Sequence, residues 1–273
     1  MSPATRAVLR RALVRLCSLS ARREAGLRIL TYHRVNDRHP HDRLTVAPRA
    51  FAAQMEALRA SGRPVLPLAR TLPALCGGEP VPAGAVALTF DDGYADNVTD
   101  ALPILERFGF PAAFFVVTGL MGTSRTLDRY ERCCDADRMM TWDEVRALRD
   151  RGHTIGGHGR THRELAGLPE ADVRDEAEQC AEDIRRETGE RPTLFCYPRG
   201  SENAIARKIV GEAGFVAACT VYPGANPPGT ELLGLRRTEV SGDDTLADFR
   251  LKLDGGFDAW HRLAQARHRR PRW

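Results

Sequence analysis

The chain has 273 residues, 42% of them hydrophobic, enough for one large α/β domain or two small ones with a real core. Its 40 lysines and arginines stand against 36 acids, a net charge of +4 that is too small to argue for nucleic acid. The seven cysteines are odd in number and show no CxxC spacing, which argues against a disulfide framework and fits a reducing compartment better.

The chain opens on a basic segment, residues 1–26, with Arg6, Arg10, Arg11, Arg15, Arg22 and Arg23. Arginines interrupt every apolar stretch from Ala4 to Leu27, so no signal-peptide core forms, and no run approaches membrane-spanning length. Residues 4–19 can form a basic amphipathic helix. A solvated or packing helix is the favoured reading, and contact with a membrane surface is the other. The expected location is cytoplasmic, with peripheral contact at the inner face of the membrane as its variant.

From Leu27 the pattern changes. Leu27–Tyr32 predicts a strand and Ala50–Ala60 a helix, with Phe51, Met55 and Leu58 on one face. Val86–Phe90 predicts a buried strand, Ala95–Phe108 a helix ending at Gly109, and Ala112–Val117 another strand. Trp142–Arg151 predicts a helix capped by Thr141, followed by a short strand at Thr154–Gly157 and a long charged helix at Pro169–Thr188. Thr193–Tyr197 predicts a strand, Ser201–Ala213 a helix, and Phe215–Tyr222 and Leu235–Val240 the last two strands. Strands alternating with helices predict a parallel sheet with helices outside, and about seven strands predict a distorted (β/α)7 TIM-like barrel. This unit spans residues 27–251. A basic tail, 252–273, closes the chain with Arg262, Arg267, Arg269, Arg270 and Arg272; its Trp260 and Trp273 are too few to make a stacking platform for nucleic acid.

In barrels of this kind, function gathers at the C-terminal ends of the strands. The strand Val86–Phe90 runs into Asp91-Asp92-Gly93. Neighbouring residues on extended chain point apart, so one aspartate can ligate a metal while the other stays free to take a proton. Alone, this triplet reads as a polar turn with an aspartate cap. The strand Thr154–Gly157 runs into His158-Gly159-Arg160-Thr161-His162, two histidines four apart that can face one ion. One Asp and two His make a hydrolytic metal set with positions left open. His153 precedes its strand, at the wrong end for this chemistry. The strand Thr193–Tyr197 ends in Cys196-Tyr197-Pro198-Arg199-Gly200, a tight loop able to aim a backbone N–H at a developing oxyanion. Cys196 reads as a buried apolar filler. His33, after the first strand, can donate a proton to a leaving amine, although a histidine standing alone is more often structural. A buried arginine needs an acidic partner, so Arg236 or Arg237 can hold Asp91. The polar stretch Gly122–Met140 reads as a lid or groove wall.

These strand-end motifs resemble the polysaccharide deacetylase family, with its NodB-homology domain (carbohydrate esterase family four). Thr89-Phe90-Asp91-Asp92-Gly93 matches that family's first motif, His158–His162 its H-[ST]-x-x-H motif, and Phe195–Gly200 its third. Leu30–Val35 is similar to a subgroup, including poly-N-acetylglucosamine deacetylases, in which the catalytic histidine motif lies on the N-terminal strand. The resemblance implies a carbohydrate N-deacetylase. Asp91 would be the base and His33 the acid. Asp92, His158 and His162 would hold a divalent metal, zinc first, and the Arg199 backbone N–H would help form the oxyanion hole. The implied partner is an N-acetylated sugar polymer, oligosaccharide or glycan precursor, and not nucleic acid. The departures are Gly159 for a serine or threonine that braces the second motif, Arg199 for an aromatic, and Cys196 for an arginine beside the base, which Arg237 would replace. The rival readings are an amide hydrolase of the same fold acting on a small non-sugar amide, and a non-catalytic glycan-binding protein.

Overall fold

The computed structural model describes residues 26–78, 80–123, 127 and 137–258. Within it, seven strands form one sheet: β1 Arg28–Tyr32, β2 Val86–Phe90, β3 Ala112–Val116, β4 Thr154–Gly157, β5 Leu194–Cys196, β6 Ala217–Cys219 and β7 Thr238–Glu239. Their order is β6-β5-β4-β3-β2-β1-β7, and every pairing is parallel. Leu235, just before β7, also makes a parallel bridge to Cys219 at the end of β6. Its N–H donates to Ala218 O at 2.9 Å, and it accepts from Thr220 N at 2.8 Å. One segment therefore touches both rims of the curled sheet, and the result is the distorted α/β barrel that the alternation predicted.

The helices are α1 Pro48–Ala60, α2 Leu68–Leu75, α3 Leu102–Phe108, α4 Trp142–Asp150, α5 Glu170–Thr188, α6 Ala204–Glu212 and α7 Leu246–Leu253. All five residues of β1, of β2 and of β3 are buried, as strands covered on both faces must be. Alternate residues serve different layers. Tyr32, Phe90 and Phe114 stack in a row at 5.4 and 4.9 Å, with Phe51 of α1 edge-on to Tyr32 at 5.0 Å. This is the layer between sheet and helices. Ile29, Ala87, Ala113, Phe115, Leu194, Cys196 and Ala217 belong to a second cluster. Thr31 and Thr89 share the side of Ile29 and Ala87, and continuing that parity carries His33 and Asp91 toward the same mouth.

Three departures from the sequence expectation have physical causes. The helix predicted at Ala95–Phe108 begins as a wide turn over Asn97–Ala101 before α3, because Pro103 has no N–H to give to residue 99. The last strand, expected over Leu235–Val240, shrinks to two residues: Arg236 N–H goes to Asn226 Oδ1 at 2.8 Å and Arg237 N–H to Tyr222 O at 2.9 Å. Helices α2 and α7 were not anticipated, the first because Pro73 lies inside it. Helix α7 crosses position 251, and Lys252, Leu253, Phe257 and Asp258 are buried. Asp258 takes both arms of the Arg28 guanidinium at 3.1 and 2.9 Å, so the packed body extends to Asp258. Residues 4–19, the basic tail beyond 258, Cys17, Cys133, Cys134 and most of 122–140 lie outside the described residues. Among the described residues, no helix is long and apolar enough to cross a membrane.

Candidate active site

The first motif departs from strand geometry where its two carboxylates need it to. Asp92 has φ of 74° and Gly93 of 86°, consecutive left-handed residues that turn the chain as soon as β2 ends. Aspartate tolerates that region better than most side chains, and glycine tolerates it freely. A Cβ at Gly93 would also stand 2.9 Å from Met121 Cε. The turn breaks the strand alternation, so Asp91 and Asp92 serve one site instead of opposite faces. Both are buried.

Asp92 Oδ1 lies 3.4 Å from His158 Nε2 and 3.5 Å from His162 Nε2. The two imidazoles cross at 71° with centroids 4.9 Å apart. His158 Nδ1 lies 2.7 Å from the Cys196 carbonyl oxygen. A carbonyl only accepts, so Nδ1 carries a proton, and Nε2 is the nitrogen that faces Asp92 and would give up its proton to an ion. Burial pushes the Asp92 carboxyl up, but hydrogen bonds from His158 and His162 outweigh it and hold it well below the usual carboxylate range. His158 is held well above an ordinary imidazole: burial lowers it, while Cys196 and the Asp92 and Asp91 carboxylates raise it by more. Burial dominates at His162 and lowers it. A carboxylate between two imidazole nitrogens suits a borderline divalent cation, which would occupy the place of the shared proton.

A second trio, Asp91, His158 and Cys196, also brings its ligand atoms within 4.8 Å of one another. It fits an ion less well. Burial pushes the Cys196 thiol up, away from the thiolate a metal requires. Both oxygens of Asp91 are already engaged: Arg237 Nη1 donates to Oδ1 and Nη2 to Oδ2, each at 2.7 Å.

Arg237, 3% exposed, is fixed in turn by donating Nε to Thr220 O at 2.9 Å. Burial raises Asp91, but Arg237, then His158 and His33, bring it below its ordinary value. Asp91 therefore stays ionised in a dry setting. Cys196 is not an apolar filler: its Sγ is 3.5 Å from Asp91 Oδ2 and 3.1 Å from Arg237 Nη2. A bulkier side chain there would intrude on the Asp91–Arg237 pair. Arg236 is exposed and does not take part.

His33 Nε2 stands 3.9 Å from Asp91 Oδ2, with its backbone carbonyl held by Asn97 Nδ2 at 2.8 Å. Its Nδ1 is buried and has no hydrogen-bond partner among the described residues. Arg199 has φ of 55°, and its side chain turns outward to Glu164 at 3.0 Å, so its backbone, not its guanidinium, belongs to the loop after β5. His153 accepts from Ala112 N at 3.2 Å, away from this cluster, as its position before β4 implied. Sequence reasoning missed Thr89, which receives Arg237 Nη1 at 3.3 Å, and Glu176 of α5, whose carboxylate reaches the 159–161 turn. Glu176 is 14 residues beyond the second motif on a charged helix, and only burial sets it apart from its neighbours.

The family model described as polysaccharide deacetylase matches residues 78–218, which include Asp91, Asp92, His158, His162 and the loop after β5. The chain belongs to the polysaccharide deacetylase family. Membership makes it a hydrolase of carbohydrate N-acetyl groups, the class that the three motifs implied. The Bacillus subtilis protein YxkH is 26% identical over 223 residues, covering 82% of this chain and 74% of that one. The poly-beta-1,6-N-acetyl-D-glucosamine N-deacetylase of Escherichia coli K12 is also 26% identical, over 82% of this chain but only 38% of its own length. Among solved structures, Streptococcus pyogenes deacetylase PplD superposes with a TM-score of 0.73 at 20% identity, covering 85% of this deacetylase and 99% of that chain; this likeness is one of fold.

Proposed function

We propose that this deacetylase is metal-dependent and removes N-acetyl groups from an N-acetylglucosamine-containing polysaccharide or glycan precursor. The observation that carries the reading is the Asp92 carboxylate set between two imidazole Nε2 atoms, with a second, arginine-held carboxylate beside it. Asp92, His158 and His162 would hold the ion, and a carboxylate with two imidazoles favours zinc. When bound, the ion supplies Lewis acidity that polarises the acetamide carbonyl and acidifies water.

The chain's own groups do the rest. Asp91, ionised and oriented by Arg237, takes a proton from the attacking water. His33 gives one to the departing amine; its distance of 3.9 Å to Asp91 Oδ2 leaves both groups at one reacting centre. The Arg199 N–H, at the left-handed turn after β5, is the donor for the developing oxyanion. Water and an acetamide become acetate and a free amine. The polymeric N-acetylglucosamine substrate is supported by the name of the E. coli relative, with 38% of whose length this chain aligns.

The test is acetate release from N-acetylated chito-oligosaccharides, poly-β-1,6-N-acetylglucosamine and small non-sugar amides, each with and without a chelator. Chelator-sensitive release from a glycan alone supports the reading. Release that ignores the chelator, or that occurs only from the small amides, contradicts it.

A further inference from the structure

His158 and His162 differ in what holds them. His158 directly follows β4, and its Nδ1 is tied to the Cys196 carbonyl. His162 comes four residues later, outside any helix or strand, and has φ of 64°, a conformation that non-glycine residues adopt only when their surroundings impose it. Histidine enters this region more readily than most side chains, but still uncommonly, so contacts around the turn must hold it there.

The turn between them is gripped from two sides. On one side, Thr118 N–H donates to Gly159 O at 3.2 Å and Gly119 N–H to Arg160 O at 2.8 Å. On the other stands Glu176 of α5, 3% exposed. Its Oε2 accepts from Arg160 N at 2.8 Å and from Thr161 N at 2.9 Å, and its Oε1 accepts from the Thr161 hydroxyl. Two successive backbone N–H groups aimed at one carboxylate oxygen make a small anion-binding nest, here filled by the protein's own side chain. Asp183, seven residues on along the same helix, takes the Thr118 hydroxyl at 2.9 Å, so α5 supports both strands of the grip.

Arg160 and Thr161 are themselves exposed, whereas Glu176 is buried, and taking a carboxylate out of water is expensive unless hydrogen bonds such as these offset it. Gly159 fits the same account: a Cβ there would come within 2.9 Å of Glu176 Oε2, and φ of 73° already disfavours a side chain. The serine or threonine that the second motif carries elsewhere would have to displace this carboxylate from the turn.

We infer that Glu176 is a positioning residue, whose grip on the 159–161 turn sets His162 Nε2 opposite Asp92. The inference rests on the reading of Asp92, His158 and His162 as the metal set, and it assigns to α5 a part in that set that none of the three motifs contains.

The test compares wild type, Glu176→Ala, Glu176→Gln and Thr161→Val, each as the 273-residue chain. Zinc affinity is read by competition with a chromophoric chelator, and metal-free thermal melting is read in parallel. Loss of an outer partner of a metal ligand weakens binding about 10–100-fold. Glu176→Ala should show a loss of that size, with metal-free melting close to wild type. Glu176→Gln should fall between, because one amide oxygen cannot serve all three donors. Thr161→Val, which removes one bond of three, should lose about threefold or less. At saturating zinc, kcat should fall in Glu176→Ala while KM stays near wild type. A Glu176 that only stabilises the fold would instead lower metal-free melting and leave zinc affinity within twofold, and that result overturns the inference. If Glu176→Ala does not fold, Glu176→Gln decides by the same criterion. Variants that match a zinc-binding wild type sink the role of Glu176 alone; a wild type that binds no zinc sinks the metal reading and this inference with it.

Discussion

Arg237 grips Asp91 through both carboxylate oxygens, Nη1 to Oδ1 and Nη2 to Oδ2, at 2.7 Å each and out of solvent. A two-pronged guanidinium fixes the plane of a carboxylate as well as its charge. The pair joins the end of β2 to the segment before β7 across the mouth of the barrel.

Arg237→Gln should remove the cation and leave burial as the main influence on Asp91, whose carboxyl then rises. A base works deprotonated, so the acid limb of kcat/KM should move to higher pH, with activity at pH 7 partly recovered in more alkaline buffer. For stability the sign is the usual carboxylate one. Asp91 lies below its ordinary value when folded, so its contribution is present above the unfolded value and is lost as pH falls through the folded one. Breaking a buried pair by removing one partner costs about 3–5 kcal/mol, which thermal melting would register. An unmoved acid limb in a folded variant would contradict the role given to Arg237.

Asp91→Asn should still bind added zinc and lose activity. The amide is nearly isosteric, but it cannot take a proton, and general-base catalysis is worth about 100- to 10,000-fold. Metal content and acetate release measured on the same sample check this. Undiminished release would remove Asp91 as the base.

His33→Ala should lower kcat far more than zinc affinity, because no ligand is disturbed. Its effect should shrink on substrates whose leaving amine is weakly basic, since these need less protonation as they depart. Equal losses across a series of leaving groups would mean that His33 acts by packing.

Asp96 gives a separate pH signature. Burial pushes its carboxyl up to about 6, against the opposing pull of Asn36, Arg34 and Arg38. The folded state then holds this proton more tightly than the unfolded chain. Stability contributed by Asp96 is present below its ordinary value of 3.8 and is lost as pH rises to about 6. The gap corresponds to about 3 kcal/mol. Asp96→Asn should flatten the fall between about pH 4 and 6 in melting temperature. An identical slope in the variant would place the titration elsewhere.

Much of this arrangement is written in short runs of the chain. The strands Val86–Phe90 and Thr154–Gly157 are continuous apolar or small-residue runs, and the motifs begin where each ends. Other features escape local pattern because they are long-range. The last strand is short because Asn226 and Tyr222 compete for the Arg236 and Arg237 N–H groups, and nothing in Leu235–Val240 records that competition. Cys196 reads as a core residue until Arg237 is brought against it from 41 positions away. Glu176 is one acid among many on α5, and only the fold turns it inward. The left-handed backbone of Asp92, His162 and Arg199 is likewise imposed by packing on residues that do not choose it alone.

The most direct test of the central claim is anomalous diffraction from crystals of the 273-residue chain soaked in zinc. One site is predicted, within first-coordination reach, about 2 Å, of an Asp92 carboxylate oxygen, His158 Nε2 and His162 Nε2, with Asp91 still on Arg237. Zinc bound instead by Asp91, His158 and Cys196, or absent from Asp92 at saturating concentration, would contradict the account.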